Sequence, residues 1–101
     1  MGFQIVWTDP ARETLQTIVQ RIRADNPAAA QRFVAELVRR VELAAQMPHA
    51  ASLFARRRGL EIREFMHGVY RVFYRVRPRL KQVEILVIWH SAREEPKLKR
   101  R

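Results

Sequence analysis

Residues 68–76 read GVYRVFYRV, in which aromatic and β-branched residues are interrupted at regular spacing by arginine. Successive side chains of an extended chain point to opposite faces of a sheet. One face of this segment therefore carries Tyr70, Val72, Tyr74 and Val76, and the other carries Arg71, Phe73, Arg75 and Arg77. The pattern predicts a strand of an antiparallel sheet that packs its apolar face on a core. Two interpretations of the arginine side stay open: an ordinary solvated surface, or a surface that binds anions or an acidic partner through guanidinium forks.

The composition predicts one small globular domain. The chain has 101 residues and 48% hydrophobic residues, which is enough for a single core. It has no cysteine, which excludes disulfides and thiolate zinc sites, and its three histidines are too widely spaced to suggest a metal site. We therefore expect neither a metal nor a cofactor. The sequence shows no signal peptide or membrane-spanning run, so we expect a cytoplasmic protein without a membrane partner.

The charge of the chain is concentrated in its second half. The formal net charge is +10, and residues 51–101 hold 14 Lys and Arg against 5 Asp and Glu, a net of +9. Such a surplus favours association with polyanions or with an acidic protein. The second half is therefore expected to carry the binding residues.

Strands and helices can be placed along the chain from periodicity and capping residues. We predict a strand at 3–7, a helix capped by Asp9 with Pro10 in its first position, and a second helix capped by Asn26 that ends near Met47. A connector follows at 48–59, and three more strands are predicted at 60–66, 69–77 and 82–90. This order, β-α-α-β-β-β, predicts an α+β fold in which a helical hairpin packs on a curved, mostly antiparallel four-stranded sheet.

The last predicted strand carries apolar residues at both alternating sets of positions. Val83, Ile85, Val87 and Trp89 would then share one face, and Leu86 and Ile88 the other, as in a central strand. Trp7 and Trp89 are predicted to anchor the core. His49 and His67 are predicted to be solvated, the first in a loop and the second in a turn.

Several segments, in this order and spacing, resemble the RelE/ParE superfamily of toxins from bacterial type II toxin-antitoxin systems. They are VWTDPARETL, NPAAAQRFVAEL, the proline at 48, IREF followed by VYRVFYRV, and EILVIWHSAREEP. The resemblance covers nearly the whole chain. It implies a single toxin domain over residues 1–101, with a basic tail at 92–101 that is either flexible or a short turn.

The resemblance allows two activities. RelE-like members are ribosome-dependent messenger RNA endonucleases that need no metal, and here Arg63, Arg71 and His90 match their arginine and histidine positions. No carboxylate lies between Glu42 and Glu61, where some nucleases supply a base. The nuclease set is therefore incomplete, and the segments NPAAAQRF, VYRVFYRV and HSAR are more similar to ParE members.

The resemblance favours a growth-inhibiting toxin that poisons DNA gyrase rather than an enzyme. A nuclease and a non-toxic cationic binding module remain the alternatives, and topoisomerase IV is not distinguished from gyrase as the target.

Ten residues are the candidates for binding the target or a partner. They are Arg56, Arg57, Arg58, Arg71, Phe73, Arg75, Arg77, His90, Arg93 and Lys97. The alternative for His90 is a structural one, a backbone hydrogen bond that caps the strand. We expect charge reversal at Arg71 and Arg75 to weaken function and leave the melting temperature nearly unchanged. The resemblance also implies a cognate acidic antitoxin and a hetero-oligomeric toxin-antitoxin complex.

Overall fold

The computed structural model describes residues 2–92, which form two helices and one five-stranded sheet. The elements in chain order are β1 (Gln4–Trp7), α1 (Asp9–Asp25), α2 (Pro27–Gln46), β2 (Ser52–Arg57), β3 (Leu60–His67), β4 (Tyr70–Arg77), a 3₁₀ turn (Pro78–Leu80) and β5 (Gln82–His90). No helix among these residues is long and apolar enough to cross a membrane. The predicted tail, with Arg93 and Lys97, lies outside the described residues except for Ala92.

The sheet order is β1-β5-β4-β3-β2, with β1 parallel to β5 and every other pair antiparallel. Both helices contribute to one core on one side of this sheet, together with the apolar residues of β4 and β5. The predicted α+β class and the mostly antiparallel sheet are therefore confirmed. The predicted number of four strands is wrong, because the segment taken for a connector contains β2.

β2 was missed because its sequence does not alternate. Its pairing with β3 shifts between Leu53 and Ala55, so Phe54 has no opposing residue, and three arginines follow at 56–58. A bulge of this kind breaks the period of two by which a strand is predicted. β2 and β3 are joined by Arg58 and Gly59, both at positive φ (53° and 78°), as a two-residue hairpin turn with matching twist requires.

The helix starts are set by side-chain caps. Asn26 Oδ1 accepts from the Ala29 N-H at 3.0 Å, and the Asn26 N-H donates to the carbonyl of Ile22 at 2.8 Å, so one residue ends α1 and starts α2. This confirms the prediction for Asn26. The prediction for Asp9 is wrong, because the cap is Thr8, whose hydroxyl accepts from the Ala11 N-H at 3.3 Å. Thr8 Oγ1 also donates to the carbonyl of Ile85 at 2.7 Å, which fixes the start of α1 to β5.

A bulge in β5 reverses the predicted faces of its second half. Phe73 pairs with Val87 and Tyr74 pairs with Ile85, which leaves Leu86 without an opposing residue. Ile88 therefore returns to the helix side, where it is 2% exposed and belongs to the core. Trp89 pairs with Arg71 on the opposite side and is partly buried outside that core, so its prediction as a core anchor is wrong. Trp7 packs against the core as predicted.

His67 is a second residue whose surroundings differ from the prediction. It is only 6% exposed, and its Nε2 lies 3.2 Å from the carbonyl oxygen of Phe33 in α2. The Phe33 ring meets it edge to face, with centroids 4.8 Å apart. The end of β3 is therefore packed against α2, and the turn to β4 is made by Gly68, at a φ of 60°, and Val69.

Candidate functional site

The side of the sheet that faces away from the helices carries the predicted arginines. Val72, Tyr74 and Val76 of β4 are fully buried in the core, so the alternate residues of this strand lie on the other side. We call this side, with Arg71, Phe73, Arg75, Arg77 and the residues paired with them, the arginine face. The predicted division of β4 into an apolar and a cationic face is thus confirmed.

Two carboxylates from neighbouring strands neutralise much of this cationic charge. Glu64 Oε1 accepts from Arg71 Nε at 2.9 Å and from Arg71 Nη2 at 2.7 Å. Glu84 accepts from Arg75 Nε at 2.7 Å and lies 3.7 Å from Arg77 Nη1. The side chains of Arg71, Arg75 and Glu84 are 14–16% exposed and that of Glu64 is 22% exposed, whereas that of Arg77 is 38% exposed. Arg77 is therefore the most accessible cation of this group.

Aromatic rings support Arg71 from below. Its guanidinium lies 5.0 Å from the centroid of Phe73 and 5.8 Å from that of Phe54, within the range of a cation-π contact. The two rings meet edge to face at 4.8 Å. Phe73 is 0% exposed, so the prediction that it is an exposed contact residue is wrong, since Phe54 and Arg71 cover it. Phe73 can position Arg71 but cannot itself touch a partner.

The three arginines at 56–58 occupy the β2–β3 hairpin in different ways. Arg56 is 61% exposed along its side chain and lies 3.4 Å from Glu61 Oε2. Arg57 is partly buried, and its Nε is buried without a hydrogen-bond partner among the described residues. Arg58 is exposed in the turn itself. The hairpin thus presents Arg56 and Arg58 to solvent and holds Arg57 against the sheet.

Arg63 lies on the helix side of the sheet, because it pairs with Tyr74. Its Nε donates to Glu61 Oε1 at 2.8 Å, and its Nη1 donates to the carbonyl of Ala51. His49 Nδ1 also lies 2.8 Å from Glu61 Oε1. The hydrogen bond from Arg63, followed by that from His49, lowers the pKa of Glu61 from 4.5 to about 2. Arg63 is therefore one member of an ionic cluster that ties β3 to the segment after α2.

His90 also lies on the helix side, at the far end of β5. Its Nδ1 accepts from the Ala92 N-H at 3.1 Å, which is the strand-capping role that the sequence left open for it. Its ring meets Tyr70 edge to face at 5.4 Å. It also lines an open groove of about 320 Å³ beside α1, together with Glu13 and Arg21.

The structure does not bring Arg63, Arg71 and His90 together. Arg71 lies on the arginine face, whereas Arg63 and His90 lie on the helix side. Arg63 is opposite Tyr74 and His90 is opposite Tyr70, four residues and therefore about 13 Å apart along β4. Within residues 2–92, no three His, Asp or Glu side chains are placed to bind a metal ion.

Sequence reasoning missed Glu61, Glu64 and Glu84 as members of these sites. A single strand shows its own alternation, but cross-strand neighbours depend on the register, which the bulges at Phe54 and Leu86 shift. The signal that could have found them was charge: Glu61, Glu64 and Glu84 all lie within predicted strands, where a carboxylate is stabilised by a cationic cross-strand neighbour.

Comparison with known proteins places these features in a family. A family model described as the ParE toxin of the type II toxin-antitoxin system parDE matches residues 5–95. No curated protein matches the chain.

Three solved structures are similar in fold. They are the chromosomal ParDE system of P. aeruginosa (TM-score 0.69, 21% identity, 87% of this chain and 95% of that one), the archaeal RelE-RelB complex of Pyrococcus horikoshii (0.65, 19%, 93% and 100%), and the RelBE2 toxin-antitoxin complex of Mycobacterium tuberculosis (0.56, 24%, 89% and 99%). At these identities the likeness establishes a shared fold.

Proposed function

Because the chain belongs to the ParE toxin family of type II toxin-antitoxin systems, we propose that it inhibits growth by poisoning DNA gyrase and that a cognate antitoxin neutralises it. The family assignment rests on a match to residues 5–95. The gyrase target and the antitoxin are proposals about this chain. Both proteins would meet it in the cytoplasm.

The observation that supports gyrase over messenger RNA is the separation of the nuclease-like residues. Cleavage of RNA without a metal needs a base, a cation and an acid within reach of one phosphate. Here Arg71 and the pair Arg63 and His90 lie on opposite sides of the sheet. In addition, Nδ1 of His90 is occupied by the Ala92 N-H, and Arg63 is held by Glu61. These groups serve the fold, and a binding surface fits the remaining exposed cations better than a catalytic centre does.

The proposed target surface combines the exposed cations of the second half of the chain. Among the described residues it consists of Arg56, Arg58 and Arg77, and we propose that Arg93 and Lys97, which lie outside the described residues, also contact the target. Exposed cations favour the polyanionic surface of a gyrase-DNA complex, and binding through them falls with salt.

Two reactions with the purified protein test this proposal. One measures the supercoiling of relaxed plasmid by gyrase, and the other measures messenger RNA cleavage on programmed ribosomes. We expect blocked supercoiling, trapped cleaved DNA and intact message. Cleaved message with normal supercoiling would overturn the gyrase proposal in favour of a nuclease, and parallel reactions with topoisomerase IV would reveal a different topoisomerase target.

Single substitutions test the proposed contact residues in the same gyrase reaction. Arg77→Ala and Lys97→Ala are expected to reduce inhibition of gyrase, whereas Arg32→Ala, an exposed cation on α2, is the matched control. His90→Asn keeps an acceptor for the Ala92 N-H and is expected to retain inhibition. Loss of activity in His90→Asn with an unchanged melting temperature would contradict a structural role for His90.

A protein antitoxin is supported by two of the similar structures, which are an archaeal RelE-RelB complex and a mycobacterial toxin-antitoxin complex. We expect expression of this chain to arrest growth and co-expression of its antitoxin to relieve the arrest. Normal growth at full expression would support the non-toxic binding module instead.

A further inference from the structure

One end of the sheet carries a concentration of positive charge. At this end the β2–β3 turn, at 58–59, lies beside the β4–β5 turn, at 78–81, because β4 runs antiparallel to both β3 and β5. Residues 56–61 and 75–84, which build this end, hold seven Lys and Arg against two Glu. We call the six cations in and next to the two turns the basic rim. They are Arg56, Arg57, Arg58, Arg77, Arg79 and Lys81.

The strand register places the two turns at the same level. Ile62 of β3 pairs with Arg75 of β4. Two residues farther toward this end, Leu60 therefore lies at the level of Arg77, which pairs with Gln82 of β5. Neighbouring strands are about 4.8 Å apart and the two turns are separated by two strand spacings, so their centres lie about 10 Å apart.

Carboxylates of the protein leave much of the charge of the basic rim uncompensated. Arg56 lies 3.4 Å from Glu61, and Arg77 lies 3.7 Å from Glu84. Each of these carboxylates is also held by another arginine, at 2.8 Å and 2.7 Å respectively. Three further cations of the basic rim are exposed and form no ion pair within residues 2–92. They are Arg58, Arg79 and Lys81.

Two of these cations occupy backbone positions that disfavour them. Arg58 and Lys81 have φ angles of 53° and 52°, and no other described residue except glycine has a positive φ. Glycine or asparagine adopts this conformation more readily than arginine or lysine does. The Lys81 N-H donates to the carbonyl of Pro78 at 3.1 Å, and its carbonyl accepts from the Gln4 N-H at 2.8 Å, so the turn is held by backbone groups. The fold does not need a cation at either position, which indicates that the charges serve a ligand.

The composition of the basic rim favours phosphate groups over the surface of an acidic protein. Protein-protein interfaces are centred on buried aromatic and apolar anchors, whereas protein-DNA interfaces are more polar and much more positively charged. Of the described residues at this end of the sheet, Leu80 is the single large apolar side chain that is exposed. The spacing of about 10 Å between the two turns is close to the width of the DNA major groove, about 12 Å. A second copy of the chain does not fit, because two molecules of net charge +10 repel each other.

We propose that the basic rim binds the phosphate backbone of duplex DNA. This inference deepens the proposed function, on which it rests for the nucleic acid concerned, since DNA is the substrate of gyrase. Arg58 and Lys81 contact phosphates on the two sides of a groove, and the other cations of the rim add to the attraction. Phosphate contacts carry no sequence information, so the binding is independent of DNA sequence.

The first test measures binding of the full chain to a labelled duplex of about 20 base pairs by fluorescence anisotropy, without gyrase. The rim variant combines Arg58→Asn with Lys81→Asn. The control combines Arg21→Gln with Arg32→Gln, which removes the same charge from exposed positions near the opposite end of the sheet, beside Tyr70 and next to Phe33. We expect the affinity for DNA to fall by about 30-fold in the rim variant and by less than about 3-fold in the control.

The melting temperature separates a role in binding from a role in the fold. Asparagine is favoured at both positions, and Arg58→Asn creates the Asn-Gly sequence that suits a two-residue hairpin turn. We therefore expect the rim variant to melt at or above the temperature of the parent while it binds DNA more weakly. Arg58→Lys combined with Lys81→Arg keeps both charges and should bind like the parent. A lower melting temperature together with weaker binding would assign these side chains to the fold and overturn the proposal.

The salt dependence measures the number of phosphates contacted. The logarithm of the affinity should fall linearly with the logarithm of the salt concentration, and the slope should be less steep by about 2 in the rim variant than in the parent. Equal losses in the rim variant and the control would show that net charge alone attracts DNA, and would overturn the proposal. Tighter binding of an RNA duplex of the same length, or of a polyglutamate peptide, would overturn it in favour of that partner.

Failure of the basic rim and failure of the gyrase target give different results. The rim variant is expected to need about 30-fold more protein than the parent to inhibit supercoiling. If the parent inhibits gyrase but does not bind duplex DNA, the proposal for the basic rim alone is wrong. If the parent binds DNA through the basic rim but leaves supercoiling unchanged, the gyrase target alone is wrong.

Discussion

Arg71 is a partly buried cation of the sheet that is held by more than one neighbour. Glu64 accepts two of its N-H groups, and the rings of Phe54 and Phe73 lie beneath its guanidinium. Its side chain is 16% exposed, and removal of either charge would leave the other in a partly desolvated site. The sequence alone suggested that charge reversal at Arg71 and Arg75 leaves the melting temperature nearly unchanged. Because these ion pairs are partly buried, we now expect charge reversal to destabilise the fold.

We predict that Arg71→Glu lowers the free energy of unfolding by about 2 kcal/mol, because it places two carboxylates together where one desolvated ion pair stood. Arg79→Glu, at an exposed position in the 3₁₀ turn, is the control and should change stability by less than about 0.5 kcal/mol. Adding Glu64→Arg to Arg71→Glu should recover part of the loss in urea denaturation. A swap that recovers nothing would show that the aromatic contacts, and not the ion pair, hold Arg71.

Glu61 provides a prediction about pH. Its pKa in the folded protein is about 2, against a reference of 4.5, so its contribution to stability is fully present above about pH 4.5 and is lost as the pH falls toward 2. Glu61→Gln should therefore cost about 1–2 kcal/mol at pH 7 and progressively less between pH 4.5 and pH 3. Urea denaturation of the parent and of Glu61→Gln across this pH range measures the difference between their free energies of unfolding. The other carboxylates are present in both proteins, so their contributions cancel in this difference. Glu36→Gln, on the exposed face of α2, should show no such pH dependence, and a constant difference for Glu61→Gln would contradict the ionic origin.

At the scale of elements, the helices were predictable and the strand faces were only partly so. Asn26 and Pro27 mark the junction of α1 and α2 by local capping chemistry, which a sequence shows directly. The alternation of β4 likewise placed Arg71, Arg75 and Arg77 on the correct side. β2 and the second half of β5 were not predictable, because a bulge is a property of two paired strands and not of one sequence.

The bulge at Leu86 gives a prediction at this scale. Leu86 has no residue opposite it, so its deletion would leave every existing pair of β4 and β5 in register. We expect a folded protein that is destabilised by about 1–3 kcal/mol, since the carbonyl of Leu86 that Thr8 Oγ1 approaches at 3.2 Å is lost and the local twist changes.

Deletion of Val83, which lies before the bulge and is 0% exposed, is the matched control. It moves a polar residue into the core position and should prevent folding. Thermal melts followed by circular dichroism distinguish the two outcomes. If deletion of Leu86 unfolds the protein as completely as deletion of Val83 does, then the bulge itself is required for the fold.

At the scale of the whole molecule, the two sides of the sheet carry different features. The helix side holds the core and the ionic cluster around Glu61, whereas the other side holds the paired arginines. The resemblance that the sequence carries was sufficient for the family and the fold class. It was not sufficient for the site, because the exposure of Phe73 and the partners of Arg63 follow from tertiary packing.

The net charge of +10 leads to a last prediction, about salt. Like charges exposed on a molecule whose radius of gyration is 13.5 Å repel one another over distances up to about the Debye length, which is about 10 Å at 0.1 M salt and falls to about 3 Å at 1 M. The close pairs at Glu61, Glu64 and Glu84 are partly buried and are screened less than this long-range repulsion. We therefore expect the melting temperature to rise by several degrees between about 0.1 M and 1 M NaCl.

A variant in which glutamine replaces four exposed cations that form no ion pair within residues 2–92 separates charge repulsion from other effects of salt. The substitutions are Arg23→Gln, Arg32→Gln, Arg39→Gln and Arg79→Gln. Because they lower the net charge and leave every ion pair named above in place, this variant should melt higher than the parent at low salt and respond less to added NaCl. A parental melting temperature that falls with salt would mean that the ion pairs of the sheet, rather than the surplus of positive charge, dominate the electrostatic free energy of folding.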